Sequence, residues 1–305
     1  MKIFFKKEKD EEVKILEGPS DGCWIHMDEA TSNDLKSLGN LLGMDYSDLQ
    51  DCLDKYEIPR IEKVDQHVMI HTRYPTDQEI GLYTSTLTMI VTPRYFVTIS
   101  PHRCLFIKNF LNQKNVSSTL EPKKLLLQLL FKINQEYTGQ IRRVRYNILS
   151  AEKEMIHVDS EDITVLIKNE EILNQYYSSL IPSRNLLDGI RSSKYFTLTE
   201  DELESLEDLL NTVKQSEELC NIVLKSIRSL RDSYQSIFAN NLHKTIKLLT
   251  ALTIILNIPT MIASIYGMNM NLPLSKNIYA FEIVVAVILI MSGLGFYIFK
   301  RKKWM

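Results

Sequence analysis

Glycine is scarce in this chain, 10 residues in 305, and none of them stand in the spacing of a phosphate-cradling loop, which argues against ATP-driven work of the P-loop kind. The four cysteines, Cys23, Cys52, Cys104 and Cys220, form no C-x-x-C pair, so neither a zinc knuckle nor a disulfide framework is expected, and a reducing compartment fits. The histidines at 26, 67, 71, 102, 157 and 243 make no H-E-x-x-H or other compact ligand set, and no nucleophile motif stands out, so the chain does not read as an enzyme. A net charge of -2 gives no reason to expect a nucleic-acid partner. Met1-Lys2-Ile3-Phe4-Phe5 meets Lys6-Lys7-Glu8 before an apolar region of useful length forms, and no secretory signal is expected.

What the chain does have is two long apolar stretches near its end. Leu248–Ile265 and about Ile278–Phe299 are each long enough to cross roughly 30 Å of hydrocarbon; no charged residue lies between Lys247 and Lys276, nor between Glu282 and Lys300. Arg228, Arg231, Lys244 and Lys247 precede the first stretch and Lys300, Arg301, Lys302 and Lys303 follow the second, whereas the connection between them holds only Lys276. By the positive-inside rule both termini are expected in the cytoplasm of an inner-membrane protein, with the connection outside. Three parts follow: a cytosolic α/β or α+β domain over 1–118, long stalk helices over 119–243, and a membrane region over 244–305, with lipid as its solvent.

In the first part, strand signals run over Lys2–Phe5, Trp24–Asp28 and His67–Thr72, with a hairpin of Ser85–Thr92 and Tyr95–Ser100 turned at Pro93-Arg94, and helices over Asn33–Leu42 and Ser47–Leu53. Beyond Glu121 the periodicity predicts amphipathic helices over Lys123–His157 and Glu161–Leu180, separated near Val158-Asp159-Ser160. A third opens on Thr199 and Glu202 in capping-box spacing and holds neither glycine nor proline from Thr199 to Ile258. Leu203, Leu206, Leu210, Val213, Cys220, Leu224, Ile227, Tyr234 and Phe238 mark its packing seam. Such a rod is either a mechanical link between a cytosolic sensor and a pore or a plain spacer.

Read every third or fourth residue, the first span gives His243, Ile246, Leu249, Thr253, Asn257, Thr260 and Ser264, a half-polar stripe on an otherwise apolar helix. The stripe needs a partner helix or water. A water-filled path requires a ring of copies with this helix inside; the alternative is that hydroxyls bond back to their own helix and Asn257 bonds a neighbour. No carboxylate lies on the stripe, so neutral oxygens would meet a cation through its water shell, which suits the reluctantly dehydrated Mg²⁺.

Ile258-Pro259-Thr260-Met261-Ile262-Ala263-Ser264, then Tyr266-Gly267-Met268-Asn269, a second span and a basic tail ending Lys303-Trp304-Met305 together resemble the CorA family of magnesium transporters, with the clearest match from about Ser233 onward. The resemblance implies a funnel-shaped homopentamer that moves Mg²⁺, with Co²⁺ or Ni²⁺ as further cargo. It implies an outer filter of Gly267, Met268 and Asn269, with the Asn269 amide holding the hydrated cation unless it only caps the helix. It also implies a path lined by Thr260, Asn257, Thr253, Leu249, Ile246 and His243, and a regulatory Mg²⁺ held between subunits by Asp51 and Asp208. A zinc-moving relative of the same fold and a non-conducting sensor or scaffold stay open. Two departures stand out: His243 occupies a position where members of the family often carry asparagine, and the connection Met270–Asn277 lacks an acidic residue. Histidine there is either packed between subunits or a group whose charge can change near physiological pH.

Overall fold

A computed structural model describes the chain apart from residues 8, 9, 11, 80, 114, 154–159, 193, 270–272, 274–276 and 305, and apart from the side chains of 78, 79, 150–153 and 160. Two compact units divide it, one made of Met1–Ile156 with Thr164–Leu230 and the other of His157–Ile163 with Arg231–Met305.

The first unit is organised by a mixed sheet of β1 (Lys2–Phe5), β2 (Lys14–Leu16), β3 (Trp24–Met27), β4 (Arg60–Val64), β5 (His67–Glu79), β6 (Leu82–Val91) and β7 (Phe96–Ile99). Its order is β2-β1-β3-β7-β6-β5-β4, two antiparallel halves joined by the parallel pair β3/β7, in which Trp24 faces Phe96 and Met27 faces Ile99. All four β3 residues are buried, as expected of a central strand covered on both faces. On one face α1 (Ser32–Leu42) and α2 (Tyr46–Leu49) lay Leu35, Leu38 and Leu49 over Ile25, Met27, Met69, Val97 and Ile99.

The opposite face is aromatic. Trp24 sits 5.5, 6.0 and 6.1 Å from the rings of Phe4, Phe96 and Phe110, the last on α3 (Leu105–Leu111), and Tyr74 stacks near Phe106. Helix α4 (Pro122–Lys153) packs on β5 and β6 beside it. Local signals set α1: Thr31 and Asp34 form a capping box, and Gly43, at φ 70°, ends the helix with its N–H on Gly39, a left-handed turn that glycine adopts without Cβ strain.

Helix α4, α5 (Ser160–Arg191) from Thr164 onward and the first part of α6 (Glu200–Tyr266) complete this unit. The Tyr137 and Tyr176 rings meet edge to face, Thr138 Oγ1 lies 2.7 Å from Ser216 Oγ, and Arg184 pairs with Glu217 at 2.8 Å. The predicted end of α5 at Leu180 is corrected: the helix passes through Pro182 to Arg191. Proline removes one backbone bond, but Leu186, Leu187 and Ile190 beyond it are all buried, and their packing holds the turn. The predicted separation at Val158-Asp159 lies outside the described residues.

The α6 start is as predicted, with Thr199 N–H donating to Glu202 Oε2 at 2.9 Å and Glu202 N–H to Thr199 Oγ1 at 3.3 Å. The helix then runs 67 residues, about 100 Å at 1.5 Å per residue, past Pro259. Its packed seam is Leu206, Leu209, Val213, Ser216, Cys220, Val223, Leu224, Ile227, Leu230 and Tyr234. Leu209 therefore replaces the expected Leu210, and Leu203 and Phe238 are exposed. The second unit contains the rest of α6 and α7 (Ala280–Arg301), both with stretches long and apolar enough to cross a membrane and almost unburied within the chain.

Candidate functional site

Helices α6 and α7 pack through one face of each. Ala251 is buried and Ile255, Ile258 and Ile262 are half-buried, as are Val284, Ile288, Ser292 and Gly295 on α7. A Cβ added to Gly295 would lie 3.5 Å from Ile258 and 3.7 Å from Ile255, so the glycine sets an intimate contact of the small-residue kind used between membrane helices.

The polar stripe is on the other side. At about 100° per residue, Thr253, Asn257, Thr260 and Ser264 point opposite to Ala251, Ile255, Ile258 and Ile262, and all four are exposed. Thr253 Oγ1 donates to Leu249 C=O at 2.8 Å and Thr260 Oγ1 to Leu256 C=O at 3.2 Å. These back-bonds consume the hydroxyl hydrogens and leave oxygen lone pairs turned outward, the polarity a hydrated cation reads. Among the described residues the Asn257 carboxamide has no hydrogen-bond partner, so the alternative of a bond to its neighbouring helix is not realised within one chain. Leu249 and Ile246, below them, are 65% and 50% exposed, and His243 and Lys247 are exposed further down.

At the top of α6 the Gly267 N–H donates to Ala263 C=O at 2.9 Å and the Met268 N–H to Ile265 C=O at 3.3 Å. The helix closes on a tightened turn. A Cβ at Gly267 would stand 3.3 Å from the Ala263 oxygen, closer than most side chains tolerate, which explains glycine here without a left-handed backbone. Asn269 follows, exposed, and among the described residues no hydrogen bond ties its carboxamide to the helix end. Most of the acid-free connection that follows lies outside the described residues.

The two aspartates expected to hold regulatory Mg²⁺ are both in the first unit. Asp51 sits in a 3-10 turn, Gln50–Leu53, and is half exposed; its carboxylate accepts from Arg60 at 2.9 Å. Arg60 also pairs with Glu57, and with Glu62 at 3.4 Å, and Glu62 meets His71 Nε2 at 3.2 Å. Burial, with the Arg60 charge beside it, holds the His71 imidazole below its ordinary range against the pull of Glu62. Asp208 is exposed on α6. Among the described residues no three His, Cys, Asp or Glu side chains are grouped to hold a metal within one chain. Arg60 as a partner of Asp51 escaped the sequence reading because β4, the strand that carries it, has no clean alternation.

A family model described as CorA-like Mg2+ transporter protein matches residues 19–301. The cobalt/magnesium transport protein CorA of Methanocaldococcus jannaschii is 26% identical over 291 residues, covering 92% of this chain and 90% of its own. That of Thermotoga maritima is 20% identical over 316 residues, covering 99% and 88%. In three dimensions the chain is similar to the complete structure of the M. jannaschii CorA magnesium transporter, with a TM-score of 0.78, 23% identity and coverage of 100% and 98%. With 283 of 305 residues inside the family match, two apolar helices at its end and the tight Gly-Met-Asn turn between them, this chain belongs to the CorA-like Mg²⁺ transporter family.

Proposed function

We propose that the chain assembles as a homopentamer around a central path through which Mg²⁺, and also Co²⁺ and Ni²⁺, enter the cell down the membrane potential. The observation that carries this reading is the stripe of Thr253, Asn257, Thr260 and Ser264 opposite the α7-covered face, exposed on a helix of membrane length. Left against hydrocarbon, an unpartnered carboxamide is costly; in a ring of copies the same face surrounds water.

Asn269 from each copy forms an amide ring at the outer mouth that hydrogen-bonds the water shell of the ion, with Gly267 and Met268 shaping the turn. Thr260, Asn257 and Thr253 continue the hydrated route, Leu249 and Ile246 form an apolar constriction that dries when closed, and His243 stands at the cytoplasmic end. A divalent ion gains about 4.6 kcal/mol per 100 mV, at roughly 2.3 per charge, so no chemical fuel is needed. Both termini lie in the cytoplasm by the distribution of lysine and arginine.

Asp51 and Asp208 from adjacent copies hold a regulatory Mg²⁺ through its water shell. Two carboxylates plus waters suit an ion that retains much of its hydration. Binding favours the closed arrangement and so shifts the population toward it.

Mg²⁺, Co²⁺, Ni²⁺ and Zn²⁺ flux into proteoliposomes, wild type against Asn269→Ala, tests the reading. Mg²⁺ flux lost in the variant is the expected result. Flux of Zn²⁺ alone assigns the chain to zinc transport, and no flux of any ion leaves a membrane-anchored scaffold.

A further inference from the structure

The first unit has a cleft of about 810 Å³ between the β1–β2 edge of the sheet and α3. Its walls are cationic at the rim and apolar below. Lys2, Arg103 and Lys108 line it, and among the described residues none of the three has an ion-pair partner. Lys6 adds a fourth cation that is only 5% exposed; its ammonium donates once, to Val116 C=O at 2.7 Å, which leaves two hydrogens. Of the acidic groups lining the cleft, Asp28 is already occupied, accepting the Cys104 N–H at 2.5 Å, and Glu12 is left as an acceptor.

His26, 3% exposed, also lines the cleft. Thr98 Oγ1 accepts the Trp24 indole N–H at 2.9 Å, so its own hydrogen is free to go to His26 Nδ1, also 2.9 Å away. With the Thr98 hydroxyl donating to Nδ1, the ring proton sits on Nε2. Nε2 is not one of the unpartnered atoms sealed from solvent; it is open to the cleft and can donate to a group bound there. Phe4, Leu105 and Leu111 supply apolar wall. The volume falls within the range of small-molecule sites, and among the described lining residues the four cations, Lys2, Lys6, Arg103 and Lys108, outnumber the two carboxylates, Glu12 and Asp28.

From this juxtaposition of clustered cations, an imidazole nitrogen open to the cleft and an apolar wall, we infer that the cleft binds a nucleotide-sized phosphate ester, the phosphates on Arg103, Lys108 and Lys2 and the organic body against Phe4 and Leu111. Guanidinium and ammonium donors suit phosphate oxygens, and Glu12 is placed to accept from sugar hydroxyls or an amino group. The inference does not depend on transport, and its test reads binding, not flux.

The full chain in detergent, held in EDTA so that no Mg²⁺ confuses the readout, is titrated calorimetrically with ATP, adenosine and inorganic phosphate. ATP is expected to bind with one site per chain, adenosine not at all, and inorganic phosphate at least about tenfold more weakly than ATP. Arg103→Ala with Lys108→Ala removes two exposed side chains that leave the core untouched, and is expected to weaken ATP about tenfold or more, each lost charge-assisted bond contributing that order. An unchanged thermal unfolding curve confirms that the double variant is folded. No ATP binding, equal binding by the double variant, equal binding of adenosine, or phosphate alone matching ATP would each overturn the assignment.

Discussion

The same helix does two different jobs along its length. From Leu206 to Tyr234, α6 repeats buried residues every three or four positions, and within the first unit Ser216 meets Thr138 on α4 and Cys220 Sγ meets the Leu173 carbonyl on α5. From Ile246 to Ser264 the spacing continues, yet only Ala251 is buried, and the stripe of Thr253, Asn257, Thr260 and Ser264 is exposed. The first stretch is solved in one copy by water-driven burial. The second, in a solvent as apolar as leucine, gains nothing from hiding its aliphatic faces, and only its polar face demands company. A periodic pattern thus names a contact surface without saying whether the contact is made within the chain or between chains; burial separates the two.

The largest effect that would break this comparison is at Asn269. If the polar residues of the second stretch and its outer turn serve water and ions, Asn269→Ala should reduce Mg²⁺ uptake by about two orders of magnitude or more, several amide bonds of roughly 1 kcal/mol each being lost together. Unfolding behaviour should be unchanged, since among the described residues the side chain makes no hydrogen bond. Wild-type uptake measured with a Mg²⁺-sensitive dye in vesicles would remove Asn269 from the path.

A second test places one deletion in each stretch. Leu206 is fully buried, and Leu206→Ala should destabilise the first unit by about 2–5 kcal/mol. Leu256 is 68% exposed, and Leu256→Ala should leave unfolding in detergent unchanged. The two tryptophans separate the regions: Trp24 is buried in the sheet, and Trp304 rests on Phe299 at 5.4 Å. Followed in a Trp304→Phe background, the Trp24 emission should shift earlier only for the Leu206 variant; an equal shift for both would refute the division.

These contrasts also explain what the residue pattern disclosed. The capping box at Thr199 and Glu202, the hairpin across Pro93-Arg94 and strand β1 were legible because local rules alone specify them. Strands β2 and β4 were not, since Lys14–Leu16 is three residues on an edge and Arg60–Val64 takes its place only by pairing with β5. The extension of α5 past Leu180 was not legible because it crosses Pro182, where the buried Leu186 and Leu187 beyond it outweigh one lost hydrogen bond. In the seam, Leu209 and Leu210 are equally apolar, and only the rotation of α6 against α5 decides between them. The polar stripe was readable and its side of the helix was not, because the choice depends on where α7 packs.

A third test concerns acid. Burial pushes the His26 imidazole down to about 4, whereas in the unfolded chain it titrates near the usual 6.5. The unfolded state therefore binds more protons between those values. Stability contributed by keeping His26 neutral is fully present above about pH 6.5 and is lost as pH falls toward 4, amounting to about 3 kcal/mol over the window. His71, also held down, adds in the same direction. Urea midpoints reported by Trp24 should fall between pH 7 and 4.5, and His26→Gln should flatten the slope. An unaltered slope in that variant would assign the acid sensitivity to other groups.

The smallest expected effect is at Arg60, and it bears on whether the first unit senses the transported ion. Asp51 and Arg60 are both well exposed, at 49% and 36% of their side chains, and an ion pair of this kind contributes roughly 0–1 kcal/mol. That is too little to withhold Asp51 from a divalent cation, yet enough to compete with it. Asp51→Asn with Asp208→Asn should leave transport active at cytosolic Mg²⁺ concentrations that silence the wild type. Arg60→Met should act oppositely: with its competitor gone, Asp51 binds the regulatory ion more tightly, and half-inhibition should occur at up to about fivefold lower Mg²⁺, the factor that 1 kcal/mol sets. Patch recordings over a range of cytosolic Mg²⁺ decide both. Inhibition that moves in the same direction for the two variants, or in neither, would place the regulatory site elsewhere and leave Asp51 as the partner of Arg60 alone.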